Sequence, residues 1–384
     1  MPLLINDTGL RPRPLGPDQE PPGSGAVDNL TAAEHATDMP APAGWTGTDA
    51  RTTLGVGLTP LETRRDVVLH VALRAEQLGY QAFYLAEGWG HDATVLLAEV
   101  AVRTSRIRLG TGVLNVWGRS PATIAMLATS LHQVSDGRLT LGLGAGSPQL
   151  AEGLHDTLFT APVARLRTVV QQVRRLLDGE RLAPSFPGEH RALRLATDPA
   201  PQIPIHLAAL GPAATRLAGE LADGWCPFLL PCSALGDRIR ILEQGTAASR
   251  QGRALPQICP SVPVAVSPDD DDSRRIASWW VAFYLTSMGP LYQQTLRHLG
   301  HESAVDDVIA ANPTHRTAEV PPSAEVLLDE LTIWGDATSA RERLNRWFTA
   351  GAQLPILTLP PNRPLDELDH MLESLRPPED GLPA

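Results

Sequence analysis

The stretch from Ile107 to Pro148 reads IRLGTGVLNVWGRSPATIAMLATSLHQVSDGRLTLGLGAGSP, and it decides the fold. An apolar run over 107–113 ends in glycine-rich turn residues, a helical pattern covers 121–135, and a second apolar run covers 139–143. Short apolar runs joined by a crossover of this length are typical of parallel strands separated by a helix. The stretch therefore predicts one βαβ unit with a glycine loop, Gly144 to Pro148, after its second strand.

The same alternation of apolar strand and helical pattern continues along most of the chain. Eight strands are predicted, and the segments between them are long enough for parallel crossovers. This number favours a closed α/β barrel, the (β/α)8 TIM barrel, over an open doubly wound sheet. The predicted strands are 54–58, 82–87, 107–113, 139–143, 205–208, 224–226, 258–266 and 354–359.

The barrel domain is expected to span 53–366, with a helical insertion after strand seven at about 269–330. Residues 1–52 are rich in proline and glycine and poor in large apolar side chains, which predicts a disordered tail. Residues 367–384 are predicted to form a second, C-terminal tail. Thr59 to Glu62 matches a capping box, which predicts that the first helix begins at Pro60.

Composition excludes several classes of protein. The net charge is −11, and no cluster of basic residues suits a nucleic-acid surface. The three cysteines, Cys226, Cys232 and Cys259, are too few and too irregularly spaced for a disulfide framework or a zinc site, so free buried thiols and no metal site are predicted. No apolar run reaches the roughly 20 residues that span a bilayer, and the N-terminus lacks signal-peptide features, which favours a cytoplasmic protein.

The working face of a (β/α)8 barrel is formed by the loops after the strands. Two of these loops, around Gly144 to Ser147 and Gly211 to Ala213, contain small residues whose backbone amides are free. The second loop also opens a helix, whose N-terminus favours an anion. Either loop alone is more simply explained as a tight turn. The presence of both loops at one barrel mouth suggests a phosphate-bearing cofactor. The first loop is not a dinucleotide-binding fingerprint, because Gln149 stands where that motif needs glycine.

Charged and aromatic candidates follow strand two. Glu87 ends an apolar strand, so its carboxylate is expected to be either paired or functional. His91 and Asp92 form an acid/base pair in one interpretation. In the other, Asp92 caps a helix and His91 is an exposed loop residue. Trp89 and Trp117 are consistent with walls for an aromatic ring or with core packing.

Five segments, in this order, carry a resemblance to a known family. The chain resembles the bacterial-luciferase-like flavin- and deazaflavin-dependent oxidoreductases, and is nearest to the branch that uses coenzyme F420. The resemblance covers about 53–360. The segments are AEGWGHDA (86–93), TSRIRLGTGVLNVWGRSPATIA (104–125), SDGRLTLGLGAGSP (135–148), AALGPAATRLAGELADGW (208–225) and GDATSARERL (335–344).

The resemblance implies a set of site residues. It places a non-prolyl cis peptide bond at Gly112–Val113, behind the cofactor ring. Some relatives carry a catalytic histidine directly after the acidic residue of strand two, where this chain has Gly88. The residues implied to contact the cofactor are Gly112, Val113, Ala145, Gly146, Ser147, Gly211, Pro212 and Ala213. The candidates for orienting ring or substrate are Glu87, His91 and Asn115.

The implied function is hydride transfer between coenzyme F420 and a small organic substrate. An FMNH2-dependent monooxygenase using O2 is the first alternative, with FMN as its cofactor. A non-catalytic flavin-binding protein is the second. The resemblance also implies that a flavin reductase can act as a partner. Aromatic residues in the insertion make a homodimer plausible.

Overall fold

The structure is a computed structural model, and it describes residues 53–183, 191–249, 252–314 and 317–378. The disorder predicted for 1–52 therefore concerns residues outside the described part of the chain.

Parallel strands form one curled sheet that closes into a barrel, as predicted. The order of neighbours is β10-β9-β11-β1-β2-β3-β5-β6-β7-β8, and β4 pairs with β5. The path ends at β8, three residues before β9 begins, and a parallel bridge from Phe228 to Ser261 brings the chain after β7 beside β9. The described strands are β1 (Gly55–Leu58), β2 (Ala82–Leu85), β3 (Arg108–Thr111), β4 (Leu114–Asn115), β5 (Leu139–Gly144), β6 (Ile205–Ala208), β7 (Gly224–Trp225), β8 (Gln257–Ile258), β9 (Ser261–Val266), β10 (Ile333–Gly335) and β11 (Ile356–Leu359).

Helices surround this sheet, and four of them, α8 to α11, make up the predicted insertion between β9 and β10. In the part of the chain that the structure covers, no helix combines the length and the apolar character that crossing a membrane requires. The helices are α1 (Arg65–Gln77), α2 (Ala93–Arg103), α3 (Pro121–Val134), α4 (Pro148–Ala151), α5 (Pro162–Leu177), α6 (Pro212–Leu221), α7 (Leu235–Ala248), α8 (Asp270–Ser287), α9 (Pro290–His298), α10 (Glu302–Ala311), α11 (Val326–Leu331), α12 (Ala337–Thr349) and α13 (Leu365–Ser374).

Side-chain caps position the helices that follow the strands. Asp92 accepts from the Thr94 amide at 2.9 Å and starts α2, and Ser120 accepts from the Thr123 amide at 3.1 Å and starts α3. The capping box predicted at Thr59 is wrong, because α1 begins at Arg65. The carboxylate of Glu62 instead binds Arg64 and accepts from the Asn362 amide at 3.1 Å, so it is not available to Thr59.

Two elements differ from the sequence-based prediction near the C-terminus. The predicted tail from residue 367 is partly wrong, since α13 covers 365–374 and buries Leu368, Met371 and Leu372. These apolar residues recur at helical spacing, and the Tyr80 hydroxyl donates to the Leu372 carbonyl at 2.9 Å. The short strand β10 was not predicted, because three residues between a helix and a helix cap give almost no periodic signal.

The barrel interior holds a cluster of its own, separate from the main core between sheet and helices. Alternate side chains of each strand point to opposite faces of the sheet. In β2, Phe83 and Leu85 belong to the main core, whereas Ala82 and Tyr84 face the interior. These interior-facing residues are Ala82, Tyr84, Cys226, Cys259, Leu354 and Ile356.

Candidate active site at the barrel mouth

The Gly112–Val113 peptide bond is cis, as predicted. It lies between β3 and β4, where Gly112 is exposed and Val113 is half-buried. The Gly112 amide donates to the Leu85 carbonyl at 2.8 Å, which fixes this turn to the end of β2. A Cβ atom at Gly144 would lie 2.7 Å from Val113 Cγ2. A larger residue at position 144 would therefore displace the Val113 side chain from the mouth.

The two predicted glycine loops lie side by side. Strand β5 pairs with β6 in a register that sets Gly144 opposite Ala208, so the loops that follow them are neighbours. The first loop ends at Ser147, whose hydroxyl accepts from the Leu150 amide at 3.4 Å. The second ends at Gly211, where a Cβ atom would meet nothing within 4 Å. Helix α6 starts directly after Gly211, with Pro212 and Ala213 exposed, so its N-terminus opens onto free space at the mouth.

Asn115 holds the loop after β4 in place. It is only 2% exposed, and its Oδ1 accepts from the amides of Trp117 at 3.0 Å and Gly118 at 2.8 Å. Its Nδ2 lies 3.2 Å from His155 Nε2. Trp117 in turn donates from Nε1 to the Ala145 carbonyl at 2.6 Å. Asn115 and Trp117 thus connect the loop after β4 to the first glycine loop.

Glu87 is paired, and its partner is Arg119. The guanidinium binds both carboxylate oxygens of Glu87, with Nη2 at 2.7 Å from Oε2, and also lies 2.8 Å from Asp92 Oδ2. The side chains of Arg119 and Glu87 are 14% and 7% exposed. Hydrogen bonds to Glu87 raise the pKa of Arg119 above its usual range. We refer to Glu87, Asp92 and Arg119 as the rim cluster.

Asp92 has two partners, and neither is His91. Burial alone would raise the pKa of Asp92, but hydrogen bonds from Thr94 and the charge of Arg119 bring it below its usual range. His91 is exposed, and its Nε2 lies 2.9 Å from the Thr63 carbonyl. Trp89 is 51% exposed on the same loop. The structure therefore brings Glu87 and Asp92 together through Arg119 and directs the His91 ring elsewhere.

The insertion approaches the mouth from two sides. Phe228, which follows β7, packs edge-on against Tyr284 of α8 with ring centroids 4.8 Å apart. On the other side, a Cβ atom at Gly289 would lie 3.3 Å from the Gln149 side chain, next to the first glycine loop. Tyr284 and Trp280 are buried within the chain. The aromatic residues of the insertion thus pack it onto the barrel.

Sequence reasoning did not single out two residues of this site. Arg119 lies within the quoted segment 104–125, and the need of Glu87 for a partner was the signal that could have identified it. His155 is half-buried and hydrogen-bonded to Asn115, 40 positions earlier in the chain. No local pattern connects His155 with Asn115, because their contact depends on the packing of two loops.

Comparisons with known proteins relate this chain to one family. The family model described as luciferase-like monooxygenase matches residues 45–354. A Mycobacterium tuberculosis protein assigned as a coenzyme F420-dependent oxidoreductase is 31% identical over 308 residues, which cover 74% of this chain and 88% of that protein.

Solved structures share the fold. The coenzyme F420-dependent tetrahydromethanopterin reductase of Methanopyrus kandleri aligns with a TM-score of 0.68 at 18% identity, over 85% of this chain and 98% of that one. The oxygenating constituent of 3,6-diketocamphane monooxygenase from Pseudomonas putida, in complex with FMN, aligns with a TM-score of 0.60 at 17% identity, over 86% and 98%.

Proposed function

This chain belongs to the luciferase-like monooxygenase family, and from that premise we propose that it transfers hydride between coenzyme F420 and a small organic substrate. The observation that carries the proposal is the adjacency of the two glycine loops, set by the pairing of Gly144 with Ala208. The similarity to an F420-dependent oxidoreductase of Mycobacterium tuberculosis supports this cofactor over FMN.

The residues at the mouth fit a phosphate-bearing cofactor. The open N-terminus of α6 supplies unpaired backbone amides and a positive partial charge, which favour an anion. Gly211, Pro212 and Ala213 would hold the phosphate there, and Ala145, Gly146 and Ser147 would line its other side. Gly112 and Val113 would lie behind the ring. When bound, F420 supplies the ring that accepts or donates hydride.

The other residues order the site around that cofactor. Asn115 binds two loop amides and His155, which makes it a positioning residue in this proposal. Glu87 holds Arg119, and Arg119 holds Asp92 at the start of α2. Hydride transfer depends on alignment and on exclusion of water, so ordered loops matter more here than a large set of reactive groups. His91, whose ring faces Thr63, is proposed to be dispensable.

The first experiment is a spectroscopic titration of the purified protein with F420 and with FMN. We expect saturable F420 binding, no FMN binding, and loss of F420 absorbance when an oxidisable substrate is turned over. O2 consumption with FMNH2 would instead identify an FMNH2-dependent monooxygenase. F420 binding with no turnover over a panel of alcohols and sugar phosphates would identify a binding protein.

A matched pair of variants tests the α6 site. Gly211→Asp and Gly236→Asp each add one negative charge near the start of a helix, at glycines whose added Cβ meets nothing within 4 Å. Asp is favourable at a helix N-cap, which Gly211 occupies, and in the first turn of a helix, where Gly236 lies, so both variants should fold. We expect F420 affinity to fall at least tenfold for Gly211→Asp, because of repulsion, and to stay unchanged for Gly236→Asp. Equal affinities would remove the cofactor phosphate from α6.

We further propose a homodimer and a flavin reductase partner. The outer surfaces of α2 and α3 expose Val95, Val102 and Met126, which suits a contact between two copies. Light scattering gives the mass in solution, and Val102→Glu should shift it from dimer to monomer. A reductase partner would be required only if turnover consumes a reduced cofactor that the enzyme itself does not regenerate.

A further inference from the structure

Three potential metal ligands meet inside the barrel, below the mouth. His206 lies on β6, Cys226 directly follows β7, and Cys259 directly follows β8. All three are buried, and one donor atom from each lies within 4.8 Å of the other two. Strand β7 pairs with both neighbours, with Gly224 opposite His206 and Trp225 opposite Ile258. The barrel register therefore brings the two thiols and the imidazole together.

The distances suit a tetrahedral metal ion. Cys226 Sγ lies 3.5 Å from His206 Nδ1. Two ligands at about 2.3 Å (sulfur) and about 2.05 Å (nitrogen) from a tetrahedral zinc ion are about 3.6 Å apart. The Tyr84 hydroxyl lies 3.4 Å from the same nitrogen, close enough to stand at a fourth position. We call these four residues the interior cluster.

Glycines on neighbouring strands leave room for the interior cluster. A Cβ atom at Gly224 would lie 2.5 Å from His206 Nε2, and one at Gly110 would lie 2.2 Å from Tyr84 Cδ1. Any other residue at these two positions would collide with the imidazole or the phenol. Glycine at these two positions therefore leaves the space that the inward-pointing side chains of His206 and Tyr84 occupy.

We propose that His206, Cys226 and Cys259 bind one zinc ion in the barrel interior, with the Tyr84 hydroxyl or a water molecule as fourth ligand. Two thiolates and a neutral imidazole are a soft ligand set that selects zinc over magnesium or calcium. Their two negative charges cancel the charge of Zn2+, so the filled site is neutral, as an apolar surrounding requires. Binding releases two thiol protons to solvent.

The thiols of this cluster differ from the third cysteine. The donor atoms of Cys226 and Cys259 lie within 4.8 Å of each other and of a ring nitrogen of His206. Cys232 lies outside the cluster, and burial raises its pKa to about 11. Cys232 is therefore the matched control for both.

The experiment measures zinc directly and needs no cofactor or substrate. Full-length protein, reduced and freed of metal, is titrated with Zn2+ in competition with a chromophoric chelator, and bound zinc is counted by elemental analysis after desalting. We expect one zinc per chain for the wild type and for Cys232→Ser. We expect at least tenfold weaker binding for Cys226→Ser and Cys259→Ser.

A second readout uses the wild-type protein alone, in case the cysteine variants fold poorly. Co2+ in place of zinc should give the intense visible bands of a tetrahedral site and a thiolate charge-transfer band in the near ultraviolet. Absence of stoichiometric zinc and of these bands would overturn the proposal. So would zinc binding by Cys226→Ser equal to that of Cys232→Ser, or an intact mass showing a Cys226–Cys259 disulfide in protein purified without reductant.

Discussion

The rim cluster and the interior cluster are both groups of polar side chains in one barrel, and they differ in how their charge is handled. At the rim, the Arg119 guanidinium bridges two carboxylates and solvent reaches part of Asp92. In the interior, every member is buried and the groups can all be neutral. An ion pair is tolerated where some solvation remains, whereas full burial requires neutral groups or a fully compensated ion.

This difference predicts that the stability of the fold depends on charge at the rim cluster and on packing at the interior cluster. Removal of one partner at the rim leaves a charge without compensation. In the interior, where the buried polar groups contact each other directly, the sensitive property is space. Variants at each place therefore test whether charge or packing limits stability there.

The largest effect is expected for Arg119→Met. The variant leaves Glu87, 7% exposed, buried without its cation, and such a loss costs about 3 kcal/mol of the free energy of unfolding. Urea denaturation measures this change. The control is Arg240→Met, which removes an ion pair to Asp237 with both side chains 73% exposed, and which should leave the midpoint unchanged. Equal midpoints for the two variants would contradict the charge argument at the rim.

A smaller loss is expected for Gly224→Ala in the interior. Its Cβ would lie 2.5 Å from the His206 ring, so the imidazole must move, and overpacking of this kind costs about 2 kcal/mol. The melting temperature of this variant is to be compared with that of Gly236→Ala, where the added Cβ meets nothing within 4 Å. Gly236→Ala should be at least as stable as the wild type, since alanine favours the helix. A stable Gly224→Ala would mean that the interior has unused space.

The smallest effect on stability is expected when the pH is lowered. The pKa of Asp92 is lower in the folded chain than its ordinary value of 3.8, so the charged carboxylate stabilises the fold above that value. This contribution is lost as the pH falls through the folded-state pKa. We expect the stability of Asp92→Asn to change less steeply than that of the wild type between about pH 5 and pH 3. Parallel curves for the two proteins would show that the rim does not contribute to acid sensitivity.

Local sequence patterns predicted the helices and strands. They did not predict contacts between residues that lie far apart in the sequence. The run from Ile107 to Pro148 is a βαβ unit with its glycine loop in the expected place, and its helix begins at Pro121 as the helical pattern indicated. The capping box at Thr59 failed because Glu62 binds Arg64 and Asn362, which belongs to the loop after the last strand. A competing partner 300 positions away leaves no trace in the local sequence.

The same limit applies to the site. The cis bond at Gly112–Val113 came from the family resemblance, whereas the pairing of Glu87 with Arg119 depends on two loops meeting at the rim. The cysteines were judged by their spacing along the chain, and that spacing is irregular. Their meeting with His206 is set by strand register, which sequence periodicity does not give.

The pairing of the first strand with the last has a consequence for synthesis. Gly55 lies opposite Ile356, and β1 is flanked by β2 and β11. On a ribosome, the edge of β1 therefore stays open until β11 has emerged from the exit tunnel. A nascent chain stalled before residue 356 exposes a buried strand edge that can pair with other chains. Chaperone contact is expected to last until β11 has left the tunnel.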